Sequence, residues 1–193
     1  MTFTIDFNQL ARVGKFVALL GFLLPWVTVS CSGTEILTAT GVQLMTGDPQ
    51  LAGPLEGMAE SQREDAEPSI ITIVAFAVAA IGLLVSLASR SRTAAAAMLA
   101  TSLLAAGLSY FSIENMRQEM RRELTNETSQ QQPEENPFFS AEQQQQMSQA
   151  MASSIRVVEE EGYYLTLVSL LLAALFALLT LFTRRAETSS TDA

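Results

Sequence analysis

Residues 24–33 read LPWVTVSCSG, and the reading of this stretch decides how the whole chain is laid out. A Pro-Trp pair and the only cysteine of the chain close an apolar run that begins at Val13. Three readings compete: the end of a cleaved secretory signal, a lipid-anchor cysteine, or the outer end of a retained membrane helix. A signal has a basic start, an apolar middle and a small-residue cleavage site, and Arg12, Lys15 and Ser30-Cys31 fit that outline. Against it, Pro25-Trp26 interrupts the apolar middle, and Thr28 stands where a bulkier aliphatic residue is usual. A retained first span is therefore expected. In that span Pro25 loosens the last turn, Trp26 is the anchor at the outer interface, and Lys15 snorkels to the inner surface.

The rest of the chain has the same scale. Three further blocks, Ser69–Ser89, Thr93–Ile113 and Tyr163–Thr183, each run 21 residues without a charge. About 20 residues at a rise of about 1.5 Å cross roughly 30 Å of hydrocarbon. A soluble helix needs only an apolar stripe, whereas YYLTLVSLLLAALFALLTLFT is apolar all round. The expected fold class is an all-α membrane protein: an up-down four-helix transmembrane bundle with an extramembrane helical hairpin extending spans three and four. The segments are 1–29 (N-terminal segment and first span), 30–68 (first outer loop), 69–89 (second span), 93–113 (third span), 114–162 (outer hairpin), 163–183 (fourth span) and 184–193 (tail). Membrane helices associate through small residues. Gly14, Ala18 and Gly21, then Ala75, Ala79, Gly82 and Ser86, then Ala97, Thr101, Ala105 and Gly107, and Ser169, Ala173 and Ala177 supply such rows.

Charge gives the orientation. Arg12 with Lys15, Arg90 with Arg92, and Arg184 with Arg185 all fall on one side of a four-pass chain, which the positive-inside rule makes cytoplasmic. Both termini are then cytoplasmic. The inner side is net +3 and the outer loops net −12, within a total of −9. So acidic an exterior repels nucleic acid.

The first outer loop is expected to hold a short extended piece and a helical turn in SCSGTEILTATGVQLMTG, then an irregular acidic stretch. In the second, the third span runs on without a breaker. Met116, Met120 and Leu124 recur at helical spacing, and Met147, Met151 and Ile155 (with Val158) do so on the returning arm, which a Ser140–Gln143 capping box opens. These stripes either pack on each other, with Met filling gaps, or present an adaptable surface to a partner. They are the candidate partner interface. Glu159–Glu161 reads as a solvated collar. The Cys31 thiol, which has no second cysteine for an internal disulfide, is either a small buried residue or a site of lipidation or interchain bonding.

The chain has no histidine, so imidazole ligation of a metal or haem and a His base are excluded. Spans two to four carry no ionisable residue, where ion pathways usually show one. No phosphate loop or nucleophile motif is present. No cofactor and no enzymatic activity are expected.

LPWVTVSCSG followed by TGVQLMTG resembles a pattern of an uncharacterised bacterial four-pass inner-membrane protein family, in which a Pro-Trp/Phe and Val-Ser-Cys exit from the first span precedes a Thr/Ser-Gly-x-x-Leu loop. The resemblance covers Leu24 to Gly47 and the four-span layout. It implies a bacterial inner membrane with the outer loops in the periplasm, and it carries no activity. The expected role is a non-catalytic accessory or scaffolding subunit among other membrane-protein subunits. The alternative is a self-associating protein (a homo-oligomer) acting as a periplasmic ligand sensor or transport accessory, and a weaker one is an oligomeric channel.

Overall fold

The first helix begins at a polar cap. In the computed structural model, which describes residues 6–31, 33–51, 67–88, 91–130 and 155–191, the Asp6 carboxylate accepts from the Asn8 amide at 3.0 Å and opens α1, Phe7–Gly21. This satisfies one of the orphan amides of a helix start. The helix ends earlier than the apolar run suggests. A tighter turn carries the chain from Gly21 to Leu24, with the Phe22, Leu23 and Leu24 amides donating to Leu19, Leu20 and Gly21 carbonyls. At Pro25 the chain leaves the helix. Proline lacks the donor that a helix requires, and the β-branched Val27-Thr28-Val29 that follows suits a strand.

The stretch WVTVSC is therefore strand β1, Pro25–Cys31, and not the outer end of a membrane helix. β1 turns at Gly33, φ +84°, into β2, Thr34–Thr40. Thr40 then caps the short helix α2, Gly41–Thr46. Its hydroxyl accepts from the Gln43 amide while the Gln43 side chain accepts from the Thr40 amide, a reciprocal capping box. Gly47 ends α2 in the left-handed conformation, φ +74°, where an L side chain would be strained. So the expected extended piece and helical turn of the first loop are both present. Strand β3 is Gln50–Leu51.

Three longer helices follow: α3 Ile70–Ala88, α4 Arg92–Gln130 and α5 Glu161–Thr191. Between α4 and α5 lies β4, Ile155–Glu159. The end of the expected returning helical arm is corrected here: Ile155 to Glu159 is extended. The sequence IRVVE has three β-branched residues, and the open edge of β1 offers them a partner, so pairing overrides the helical spacing. Met147, Met151 and the Ser140–Gln143 box lie outside the described residues. Glu159–Glu161 is no collar either. Glu159 ends the strand and pairs with Arg117, the Glu160 amide donates to the Trp26 carbonyl at 2.9 Å, and Glu161 opens α5.

The four strands form one antiparallel sheet in the order β3-β2-β1-β4. Val27 stands opposite Ala39 and Glu159, and Val29 opposite Leu37 and Val157, so the apolar residues of three strands share a face. That face meets the helices in a core of Phe22, Trp26, Val27, Ala75, Ile113 and Tyr163. α1 packs on α5 and α3, and α4 packs on α3 and α5, which closes a ring of four helices. Arg12 near the start of α1 meets Ser86 near the end of α3, and Thr166 at the start of α5 reaches the Ala18 carbonyl, so neighbours run antiparallel. The small-residue rows lie at these contacts: Ala75, Ala79, Gly82 and Ser86 are all buried, and Gly14 approaches the Ser169 carbonyl and Ala173. Gly107 is the exception and faces open space. α3, the Arg92–Glu119 part of α4 and the Glu161–Thr183 part of α5 are each long and apolar enough to cross a membrane.

Trp26 is corrected from interface anchor to core residue. Its exposure is 0%, its indole N–H donates to the Gly21 carbonyl at 3.0 Å, and its ring lies 4.5 Å from Phe22 and 5.8 Å from Tyr163. Trp26→Ala is expected to cost about 3–5 kcal/mol, read as a lowered unfolding midpoint in detergent. Trp26→Phe keeps an aromatic ring but loses the indole donor, while the Leu24 amide still serves the Gly21 carbonyl, and should cost about 0.5–1.5 kcal/mol. As the only tryptophan, Trp26 should fluoresce at short wavelength and resist both iodide and brominated lipid. Quenching by brominated lipid would return it to the interface.

Candidate functional site

The polar feature that sequence reading placed wrongly is Lys15. It lies in the middle of α1, on the face that carries Ala11 and Ala18, and is 0% exposed. It does not snorkel. Helical geometry puts residues three and four apart on one face, so Ala11, Lys15 and Ala18 turn together into the ring of helices while Val13, Phe16 and Leu20 turn outward. The ammonium instead donates to the Thr101 hydroxyl on α4. Thr101 is free to accept because its own proton goes back to its helix, to the Ala97 carbonyl at 2.8 Å or the Met98 carbonyl at 3.2 Å. Gly82 on α3 makes room for the ammonium: a Cβ there would collide with Lys15 Nζ and with Thr101.

One turn earlier, Arg12 sits half-buried on the neighbouring part of the same face. Its guanidinium donates to the Ser86 carbonyl, in the last described turn of α3. Cations are favoured at such a helix end. Arg12 Nε is buried without an acceptor. Two cations thus stand on α1 against α3 and α4.

Hydroxyls continue the polar interior toward the sheet. Ser102 donates to Met98. Thr72 lies 2.7 Å from Ser112 and 2.8 Å from Ser69, and Ser69 lies 3.3 Å from Ser112. This triangle ties the sheet ends of α3 and α4 together. Ser109, fully buried a turn below, has no hydrogen-bond partner. Among the described residues no three His, Cys, Asp or Glu side chains converge to hold a metal ion.

Of the expected partner stripe, Met116 and Ile155 are the residues with described side chains. Met116 packs against the aromatic core. Met120 and Leu124 lie further along the α4 backbone, Met147 and Met151 fall outside the described residues, and Ile155 sits on β4 opposite Cys31. Cys31 ends β1, partly buried, opposite Thr34 as well. What sequence reading missed is the triad of Lys15, Gly82 and Thr101. The available signal was a lone lysine within an apolar run and a glycine within another, but nothing in the order of residues says that they meet.

No family model, no curated protein and no solved structure matches this chain.

Gly82→Ala should lower the unfolding midpoint by an amount matching about 1–3 kcal/mol of overpacking. Combining it with Lys15→Met should recover part of that loss, because the methionine end can move aside where the ammonium is held by Thr101. A double-mutant cycle measures the coupling, and strict additivity would show that the two residues do not touch.

Proposed function

We propose that the chain is a four-pass integral membrane protein serving as a non-catalytic accessory or scaffolding subunit, with the sheet end outside the cytoplasm and both termini inside. The observation that carries the four-pass reading is the inverted polarity of α1. Its outward side chains are large and apolar: Val13 is 62% exposed and Phe16 56%, with Leu10 and Leu20 beside them, and Leu23 and Leu24 of the following turn are exposed as well. Its inward side holds Asn8 and Lys15. A helix in water would be arranged the other way, whereas lipid favours apolar groups outside and tolerates polar ones only inside. α1 alone, at 15 residues and about 22 Å, is short, but the turn through Leu24 lengthens it.

Two further features support this placement. The exposed aromatics Tyr110, Phe111 and Tyr164 lie near the sheet end of α4 and α5, where rings prefer the headgroup level. Arg92 starts α4 eighteen residues earlier, about 27 Å away along the helix, close to the thickness of a hydrocarbon core. The arginine end then faces the cytoplasm. In a bacterial inner membrane the sheet end lies in the periplasm.

The scaffolding reading rests on α4. It continues twenty residues beyond Tyr110, to Gln130, which is about 30 Å of helix rising past the membrane. Its base is fixed to the sheet by the Arg117–Glu159 ion pair and by Met116 in the aromatic core. A post held at its foot presents its upper length to other chains, and its exposed residues Gln118, Glu119 and Arg122 suit a polar, rim-like contact.

Reporters that fluoresce only in the cytosol, fused to either end, should both be bright. A dark N-terminal fusion with a bright C-terminal one would remove α1 from the set of spans. Purification of the full chain in mild detergent should retain a stoichiometric second protein, and loss of that protein on cutting α4 back toward Glu119 would locate the contact. A clean monomer after mild extraction would defeat the scaffolding reading.

A further inference from the structure

We infer that Arg12 and Lys15 form a binding site for a phosphate-type oxyanion, entered at the partly exposed Arg12 end of the contact between α1 and α3. The two cations are three residues apart on one helix, so their Cβ atoms are about 5–6 Å apart; the guanidinium reaches Ser86 of α3, and the ammonium reaches Thr101 of α4 beside Gly82, one turn before Ser86 on α3. Most of their donors are unused. The guanidinium spends one N–H on the Ser86 carbonyl, while its Nε is buried with no acceptor. The ammonium has three donors and gives one to Thr101.

Among the described side chains, no carboxylate answers these charges. α3 has none. The first acid of α4 is Glu114, thirteen residues past Thr101 and about 20 Å along the helix. On the side of α5 that packs against α1, Thr166, Ser169 and Ala173 are neutral. The nearest acid in sequence, Asp6, is already committed to capping α1. A buried cation without a counter-charge is costly, and the interior of a membrane makes it more so.

An oxyanion resolves the imbalance. Arginine binds phosphate with its planar fork, and lysine adds a point charge beside it. Arg12 is half-buried, so the site can be entered at the guanidinium, with Lys15 one turn deeper. Gly82, lacking a Cβ, lets the ammonium lie directly against the α3 backbone. The anion can be the headgroup phosphate of an anionic lipid in the cytoplasmic leaflet, which requires the four-pass reading, or a soluble phosphate, which does not.

The test uses the full chain in a non-ionic micelle and follows the unfolding midpoint. One arm adds inorganic phosphate against chloride at constant ionic strength. The other adds phosphatidylglycerol against phosphatidylcholine. A saturable rise with phosphatidylglycerol alone identifies a lipid headgroup, and a rise with inorganic phosphate as well identifies a soluble anion. Arg12→Gln and Lys15→Met should each weaken the apparent affinity roughly tenfold or more, as expected when one partner of a charged contact is removed. Arg184→Gln with Arg185→Gln should leave it unchanged. If Lys15→Met does not fold, Arg12→Gln, which keeps an amide donor for Ser86, carries the same comparison. No response to either anion overturns the inference. So does an unchanged response in Arg12→Gln, or a response lost only when Arg184 and Arg185 are replaced.

Discussion

Trp26 is where the helices and the sheet are joined. Its indole N–H satisfies the Gly21 carbonyl at the end of α1, and its own carbonyl accepts from Glu160, immediately before α5. Its ring fills the space between Phe22 and Tyr163. One residue therefore fixes where α1 stops, where β1 begins and where α5 starts. Buried amide and carbonyl groups need partners, so the turn from helix to strand is tolerated only because these bonds are made. The aromatic pairs add about 0.5–1.5 kcal/mol each beyond area burial.

From that corner the logic of the two ends diverges. At the sheet end, apolar strand residues and aromatic rings exclude water from the tops of the helices, and the capping box of α2 positions Leu44 against the same core. The Val42 amide on the Phe22 carbonyl and the Ser69 amide on the Leu44 carbonyl tie the first loop back to α1 and α3. At the opposite end the interior is polar, with Arg12 on the last turn of α3 and Lys15 between α3 and α4. A hydrophobic drive holds the first region. Small-residue contact and hydrogen bonds hold the second.

The ion pair between Arg117 and Glu159 is partly exposed, 31% and 21% for the two side chains, so it is worth less than about 1 kcal/mol. Its role is geometric: it fixes the foot of the α4 extension to the last strand. The same strand aligns Val157 with the aromatic core, which keeps the register of β4 from slipping, since a one-residue shift would turn Val157 away from the core.

The sequence by itself determined the three long apolar helices, because a run of 21 uncharged residues matches a bilayer whatever it packs against. It also determined the extended piece and the capped turn of the first loop, because Thr40, Gln43 and Gly47 act within their own few residues. Tertiary structure decided the rest. WVTVSC is held as a strand both by TEILTAT just after it and by IRVVE more than a hundred residues away, and IRVVE became a strand because the edge of β1 was open to it. Trp26 and Lys15 have amphipathic side chains equally suited to a membrane surface or to an interior. What sent both inward was the ring of helices around them, which supplied a carbonyl for one and a hydroxyl beside a glycine for the other. Interactions of that kind have no local signature, since they join residues that the order of the chain keeps far apart.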